Sequence, residues 1–357
     1  MKKRVVVGMS GGVDSAVAAY LLKESGFDVL GVILRTWLSV PGTESRCCEI
    51  SDAKRMAEEM DIPFRVEPAV SEFRRRVLAP FVDEYLDGRT PNPCVECNRA
   101  VKWEGLLRAA DAVGADFAAT GHYAYVRRLR GGRYAVGEAA SPEKDQSYML
   151  CRLTQKQLSR TLLPLGPYTK EEVRSIAAKA HLSAAEKPDS QEICFVTDGS
   201  YADVIEREAK DLTPPPGDFV DINGRILGRH KGIIHYTVGQ RKGLGIALGY
   251  PAYVSAIRAE TNQVVIGDER SVRRIQLICG DINLMGAKEI PRKKFLRAFV
   301  KIRYHHPKAA ALLIMLDENS LGIYFEKPVK APAPGQSAVC YDEDGNILCC
   351  GKIRHTL

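Results

Sequence analysis

Residues 4–15 read Arg4-Val5-Val6-Val7-Gly8-Met9-Ser10-Gly11-Gly12-Val13-Asp14-Ser15. The apolar, β-branched run up to Gly8 has the composition of a buried strand. Val13, Ala16, Val17, Tyr20 and Leu21 then fall at helical spacing, and Gly26 ends that helix. Gly8, Met9, Ser10, Gly11, Gly12, Val13, Asp14 and Ser15 therefore join a strand to a helix. Glycines let such a loop turn tightly and approach a ligand closely. The helix start offers unpaired N–H groups and a partial positive charge, which suit phosphate. Ser10 and Ser15 add hydroxyl donors. No lysine follows the glycines, so this is not a Walker A loop. An ordinary turn is the bland alternative, and Ser-Gly-Gly-x-Asp-Ser directly after an apolar strand argues against it.

Outward from this loop the pattern repeats. Val29–Leu34 reads as a second strand and Phe64–Val66 as a third. Ala53, Met56, Ala57 and Met60 mark a helix between them. Phe73, Val77, Phe81 and Tyr85 mark another helix, closed by Gly88. Trp103–Ala112 reads as helix and Phe117–Thr120 as strand. This alternation predicts an α/β fold, a parallel sheet covered by helices; with the loop at 8–15 it resembles the nucleotide-binding domain of the adenine nucleotide hydrolases. Thr213-Pro214-Pro215-Pro216-Gly217 is the clearest linker. Short strands separated by turns such as Asn223-Gly224 and Asp344-Gly345 follow it. The expected division is 1–207 for the nucleotide domain, 208–276 for a small β-rich domain, and 277–357 for a small β-barrel.

The 357 residues carry a formal net charge of +7, which permits an anionic partner without proving one. No apolar run approaches the roughly 18 residues of a membrane span. Val5–Val7 is too short for a signal-peptide core. The expectation is a cytoplasmic protein with no membrane partner. Ten cysteines are many for structural disulfides in a reducing compartment. The loop Thr90-Pro91-Asn92-Pro93-Cys94-Val95-Glu96-Cys97-Asn98 has two prolines and two asparagines, so regular structure is not expected there. Its C-x-x-C can mean metal binding, redox chemistry or coincidence. The second half of a zinc site is absent. Cys194 stands in Asp189-Ser190-Gln191-Glu192-Ile193-Cys194-Phe195, where a buried small hydrophobe is the simpler reading.

Taken together, the segments resemble the bacterial tRNA-specific 2-thiouridylases of the ATP pyrophosphatase superfamily. The resemblance rests on the loop at 8–15, Ala119-Thr120-Gly121-His122-Tyr123, Lys144-Asp145-Gln146-Ser147-Tyr148, Tyr236–Gly245 and Pro334-Gly335-Gln336-Ser337, besides both cysteine segments. It implies an ATP-dependent sulfurtransferase. On that resemblance the C2 oxygen of the wobble uridine in the Lys, Glu and Gln tRNAs would be adenylated, pyrophosphate released, and AMP then displaced by sulfur to leave 2-thiouridine.

Carried over by position, Cys97 matches the nucleophile and Cys194 the persulfide carrier, a pair able to close a disulfide. Residues 8–15, Leu34 and Gly121 match ATP contacts, with Asp14 placed for magnesium. Asn92 and Pro93 match the segment that meets the base. His122, Lys144, Asp145, Gln146, Arg303, Tyr304 and Gln336 match tRNA-contacting positions. Many members carry Asp where Cys94 stands here. That departure makes a trio, Cys94, Cys97 and Cys194, and keeps a [4Fe-4S] route open beside the persulfide route. A protein sulfur donor, a cysteine desulfurase or relay protein, is implied upstream. A different synthetase of the superfamily would share the ATP loop without needing the cysteines. A tRNA-binding protein with a relic loop would need neither. Arg74–Arg76, Arg127, Arg128, Arg130 and Arg292–Lys294 are candidate phosphate contacts or ordinary solvated faces.

Overall fold

The computed structural model describes residues 2–37, 50–185, 193–196 and 199–357. Cys47, Cys48 and the run Asp189–Glu192 lie outside the described residues. The chain forms two compact units. The first takes Met1–Val77, Cys94–Asp198 and Asp344–Leu348. The second takes Leu78–Pro93, Gly199–Glu343 and Cys349–Leu357.

The first unit is built on five parallel strands in the order β3-β2-β1-β4-β7. They are β1 (Arg4–Gly8), β2 (Asp28–Arg35), β3 (Phe64–Pro68), β4 (Phe117–Thr120) and β7 (Thr161–Leu162), with a hairpin of β5 (Tyr125–Arg128) and β6 (Tyr134–Gly137) between the last two. Val5, Val6 and Val7 are wholly buried, as a central strand requires. Side chains alternate across the sheet. Val5 and Val7 join a core with residues of the helices Val13–Glu24, Ile50–Glu59 and Lys170–Lys179. Gly8, on the other face with Val6, meets Leu106 of the helix Glu104–Ala112. After β1 the chain adds β2 and β3 to one side of it, and β4 takes the other. The strand order thus reverses at β1 and β4, and their C-terminal ends border the crevice where such sheets bind ligands.

Two expectations are corrected. The helix marked by Phe73–Tyr85 is interrupted: α-helix Val70–Phe73 passes through a π-turn at Arg74–Leu78 before α-helix resumes at Ala79–Leu86. The segment 90–98, expected as a loop, contains a one-turn helix, Pro93–Cys97, that runs into a second π-turn at Asn98–Trp103. Pro93 occupies the first helical position, where its missing N–H costs nothing and its fixed φ favours the turn.

The second unit holds two β structures. β8 (Gly217–Val220), β9 (Ile226–His230), β10 (Tyr253–Arg258) and β11 (Gln263–Gly267) form a sheet in the order β10-β11-β8-β9. Phe219, Ile233, Tyr236, Val254 and Ile266 fill its core. β12 (Arg273–Leu284), β13 (Leu296–Lys301), β14 (Ala309–Met315), β15 (Leu321–Lys330), β16 (Ser337–Tyr341) and β17 (Ile347–Thr356) close into a six-stranded barrel. Closure leaves no exposed edge strand. Cys279, Cys340, Cys349 and Cys350 are buried in it. Burial pushes the Cys279 thiol up, with Cys349 and Cys350 adding to the effect. These thiols are core residues rather than candidates for sulfur chemistry.

Candidate active site

The loop after β1 is shaped by its own side chains. Gly11 has φ +77°, a conformation that favours glycine. Ser15 is buried. Its hydroxyl accepts from the Ser10 backbone N–H at 3.1 Å and donates to the Gly12 carbonyl at 3.0 Å. Ser15 was expected as a phosphate donor; its hydroxyl is committed to the loop. Ser10 is exposed, with its hydroxyl 3.3 Å from that of Ser15. Met9 and Val13 are buried, so their side chains hold the loop to the core. Gly12 sits at the N-cap of the helix Val13–Glu24 with no side-chain cap, leaving the first-turn amides open to a ligand.

Gly121 follows β4 and lies against this loop. A Cβ there would stand 2.6 Å from the carbonyl carbon of Asp14 and 2.7 Å from the Ser15 nitrogen. Glycine at 121 is therefore a condition of bringing the ends of β1 and β4 together. Leu34 is buried on β2 and packs toward Gly105, where a Cβ would come within 2.9 Å of its side chain.

Asp14 lies in the first turn of the helix, a favourable place for a carboxylate. Lys170 Nζ donates to Asp14 Oδ1 at 2.8 Å and Oδ2 at 2.9 Å, and the Tyr123 hydroxyl donates to Oδ1 at 2.7 Å. Lys170 is buried, whereas the Asp14 side chain keeps 32% of its surface exposed. Sequence reasoning passed over Lys170, and met Tyr123 only as the last residue of the motif 119–123 without a role. One signal was available: Lys170 directly follows Thr169, which forms a capping box with Glu172. A cation in the first turn of a helix opposes the macrodipole, so it wants a partner elsewhere.

His122 borders the same loop. Its Nδ1 lies 2.7 Å from Thr120 Oγ1, and its ring centroid 5.6 Å from that of Trp103. Burial, helped by Lys102, pushes the imidazole down to about 3, so it is neutral at physiological pH. His122 therefore offers a neutral hydrogen-bonding or stacking group rather than a cation. Gln146 accepts from Tyr123 N at 3.0 Å and returns a backbone bond to Tyr123 O at 2.8 Å. Asp145 is buried, its carboxylate taken up by Ala139 N, Ser147 N and Ser147 Oγ. Both residues brace the turn that carries His122 and Tyr123. Lys144 is half-buried.

Cys97 ends the one-turn helix and is buried; Cys94 is half-buried. Glu96 between them pairs with Arg152 at 3.1 Å. Asn98 donates to the Met149 carbonyl at 3.0 Å and pins the chain just past Cys97. Cys194 is half-buried in a turn closed by Val196 N donating to Ile193 O at 2.9 Å. Phe195 anchors that turn among Phe73 and Trp37, with ring centroids 5.7 and 6.3 Å away.

Among the described residues no group of three His, Cys, Asp or Glu is placed to hold a metal ion. Asp14 does fit magnesium. Its carboxylate has about four lone-pair sites, and Lys170 and Tyr123 together make three bonds to it. Magnesium commonly takes one or two carboxylates together with substrate phosphates.

In the second unit, Gln336 Nε2 donates to the Thr90 carbonyl at 2.9 Å, and Thr90 N donates to Pro334 O at 2.8 Å. A Cβ at Gly335 would reach 2.9 Å from Thr90 N. The barrel therefore grips the segment leading into Asn92 and Pro93. Arg303 is exposed, and Tyr304 stands edge-on to His305 with centroids 4.5 Å apart. Two of the arginines proposed for phosphate are engaged in the first unit: Arg76 pairs with Glu104 at 3.3 Å, and Arg127 donates to Asn346 Oδ1 at 3.1 Å.

No helix among the described residues is long and apolar enough to cross a membrane. Residues 3–198 match the family model described as tRNA methyl transferase HUP domain. Residues 205–268 match the tRNA methyl transferase PRC-barrel domain, and 274–353 the aminomethyltransferase beta-barrel domain. The chain is 51% identical over 352 residues to a protein of Lachnoclostridium phytofermentans named tRNA-specific 2-thiouridylase MnmA, covering 96% of this chain and 97% of that one. A protein of the same name from Clostridium botulinum is 44% identical, over 99% and 98%. A solved structure of the U34-tRNA thiolase NcsA from Methanococcus maripaludis, with its [4Fe-4S] cluster, aligns at a TM-score of 0.35 and 21% identity, over 59% of this chain and 67% of that one. At that level it says nothing of this chain's site. The near-full-length identity to the first two shows the family: the chain belongs to the tRNA-specific 2-thiouridylase family.

Proposed function

We propose that the chain adenylates the C2 oxygen of the wobble uridine of tRNA with ATP and replaces that oxygen by sulfur carried as a persulfide on Cys194. The observation that carries this reading is the pairing, in one unit, of an open helix start behind Gly11–Gly12 with Cys97 and Cys194 on short, anchored turns. A uracil C2 oxygen is a poor leaving group. Attack of that oxygen on the α-phosphate expels pyrophosphate, N3 gives up its proton, and the oxygen becomes part of an AMP leaving group. The loop amides hold the phosphates. Magnesium, held at Asp14, would supply charge neutralisation on phosphate oxygens.

The terminal sulfur of the Cys194 persulfide then attacks C2, and AMP departs. Cys97 as thiolate attacks the Cys194 sulfur, closing a Cys97–Cys194 disulfide and leaving the second sulfur on C2. The persulfide itself is the two-electron oxidant of that step. A reductant must reopen the disulfide before a sulfur-donor protein reloads Cys194. In the alternative order, Cys97 frees hydrosulfide from the persulfide and that ion attacks C2. Both orders leave 2-thiouridine, AMP and pyrophosphate.

Asn92, Pro93, His122, Lys144, Arg303, Tyr304 and Gln336 are proposed to meet tRNA, with Asp145 and Gln146 in the same segment bracing that surface, and with the Lys, Glu and Gln isoacceptors as substrates. The target base must leave the anticodon stack. The division into 1–207, 208–276 and 277–357, and a cytoplasmic location, belong to the same reading. Replacing Cys194 with Ser should abolish 2-thiouridine formation while tRNA binding stays at the wild-type level. Normal thiolation by this variant would refute the persulfide route.

A further inference from the structure

Asp14 presents a difficulty for the loop that carries it. A carboxylate beside a polyphosphate repels it, yet Asp14 stands in the first turn whose amides must receive that ligand. The fold answers with Lys170. It is buried, it reaches Asp14 from the helix Lys170–Lys179, and it contacts both carboxylate oxygens at 2.8 and 2.9 Å. The Thr169–Glu172 capping box fixes that helix start and hence the root of the lysine. A buried ammonium is costly unless it is paired, so its position answers a requirement of the site. Arginine would offer a rigid planar fork. Lysine offers a compact charge on a flexible stem that can shift between neighbouring acceptors.

We infer that Lys170 is a polyphosphate-binding residue with two partners in turn. In the empty loop it neutralises Asp14. When ATP fills the loop, its ammonium moves onto the phosphates that leave as pyrophosphate, and Asp14 is released toward the metal. The hydroxyl of Tyr123, 2.7 Å from Asp14 Oδ1, keeps the carboxylate oriented during the exchange. The inference rests on the reading that residues 8–15 bind ATP. It goes beyond it by assigning a cation supplied from 156 residues further along the chain.

The test measures ATP binding by calorimetry in the full-length protein, with and without magnesium, for wild type, Lys170→Met, Lys170→Arg, Asp14→Asn and the double variant Asp14→Asn/Lys170→Met. Loss of a charge-assisted contact should weaken ATP binding by about 10- to 100-fold in Lys170→Met. Lys170→Arg restores the charge but not the compact, mobile ammonium, so it should recover only part of that loss. The magnesium midpoint should fall in Lys170→Met, because Asp14 no longer has a protein cation to give up. A role confined to holding the fold would move neither the magnesium midpoint nor the arginine rescue. The double variant carries no unpaired charge, so it reports even if Lys170→Met fails to fold. Its ATP affinity should lie well below that of Asp14→Asn alone. Equal affinities there, or wild-type affinity in folded Lys170→Met, would overturn the inference while leaving the ATP loop intact. Absence of ATP binding in the wild type would instead overturn the loop reading and this inference with it.

Discussion

Gly121→Ala should uncouple the chain from ATP. At this position φ is not positive, so the penalty is purely steric. The added methyl would meet the Asp14 carbonyl carbon at 2.6 Å, and the Asp14 oxygen and Ser15 nitrogen at 2.7 Å. These are backbone atoms, with no flexible side-chain end to swing aside. Ordinary contact begins at 3.4 Å, so the loop and the turn after β4 must separate by roughly 0.8 Å. Overpacking of this kind costs about 1–3 kcal/mol of stability. The displacement falls on the two residues that start the ligand-facing helix turn. A misplacement near 1 Å can cost about 10²-fold in rate. The expected outcome is a folded protein, less stable by that margin, with kcat/KM for ATP reduced on the order of 10- to 100-fold. Gly12→Ala is the stability control. A methyl there meets only Ser10 Oγ, at 3.6 Å, and φ is −100°. It should keep wild-type stability in thermal denaturation. Wild-type kcat/KM for ATP and wild-type stability in Gly121→Ala would refute the claim that the loop and Gly121 are in tight contact.

His122 gives a pH signature. Its folded imidazole is held down to about 3, against about 6.5 in the unfolded chain. Between these values the unfolded chain binds a proton that the native chain refuses, so this group removes stability as pH falls from about 6.5. His122→Gln should flatten the stability profile between about pH 4 and 6.5, measured by urea denaturation; an unchanged slope would contradict the burial. Gln336→Ala removes the hydrogen bond to the Thr90 carbonyl and should cost about 1 kcal/mol, since the Thr90–Pro334 backbone bond survives. The same variant should weaken tRNA binding through the Asn92–Pro93 segment, and wild-type affinity in a gel-shift titration would argue against that link.

The parallel sheet was legible because a buried central strand can be nothing but apolar, and Val5–Val7 show it. The phosphate loop was legible because glycines at fixed places leave few other uses. Less could be read around the cysteines. Pro93 and Asn92 suggested a loop, but a proline at the first helical position promotes a turn, and the π-turn at Asn98–Trp103 leaves no compositional trace. Ser15 looked like a ligand donor, yet its partners are its own loop atoms, a matter of rotamer that sequence does not express. Lys170 shows the limit most clearly. Its first-turn position announced an unusual lysine, but nothing local named Asp14 as its partner. Asp145 and Gln146 were expected at the RNA surface. The structure gives both a bracing role in the turn that carries His122, where residue type alone could not separate support from contact.

The central claim is that adenylation and sulfur transfer from Cys194 are consecutive steps at one site. It is tested most directly by counting products from a persulfide-loaded preparation in a single turnover with tRNA. Wild type should give 2-thiouridine, AMP and pyrophosphate in equal amounts, with the sulfur traced to Cys194 by mass spectrometry. Cys194→Ser should still release pyrophosphate in a tRNA-dependent burst and form no 2-thiouridine. Thiolated tRNA from Cys194→Ser, or pyrophosphate release indifferent to tRNA, would contradict the account.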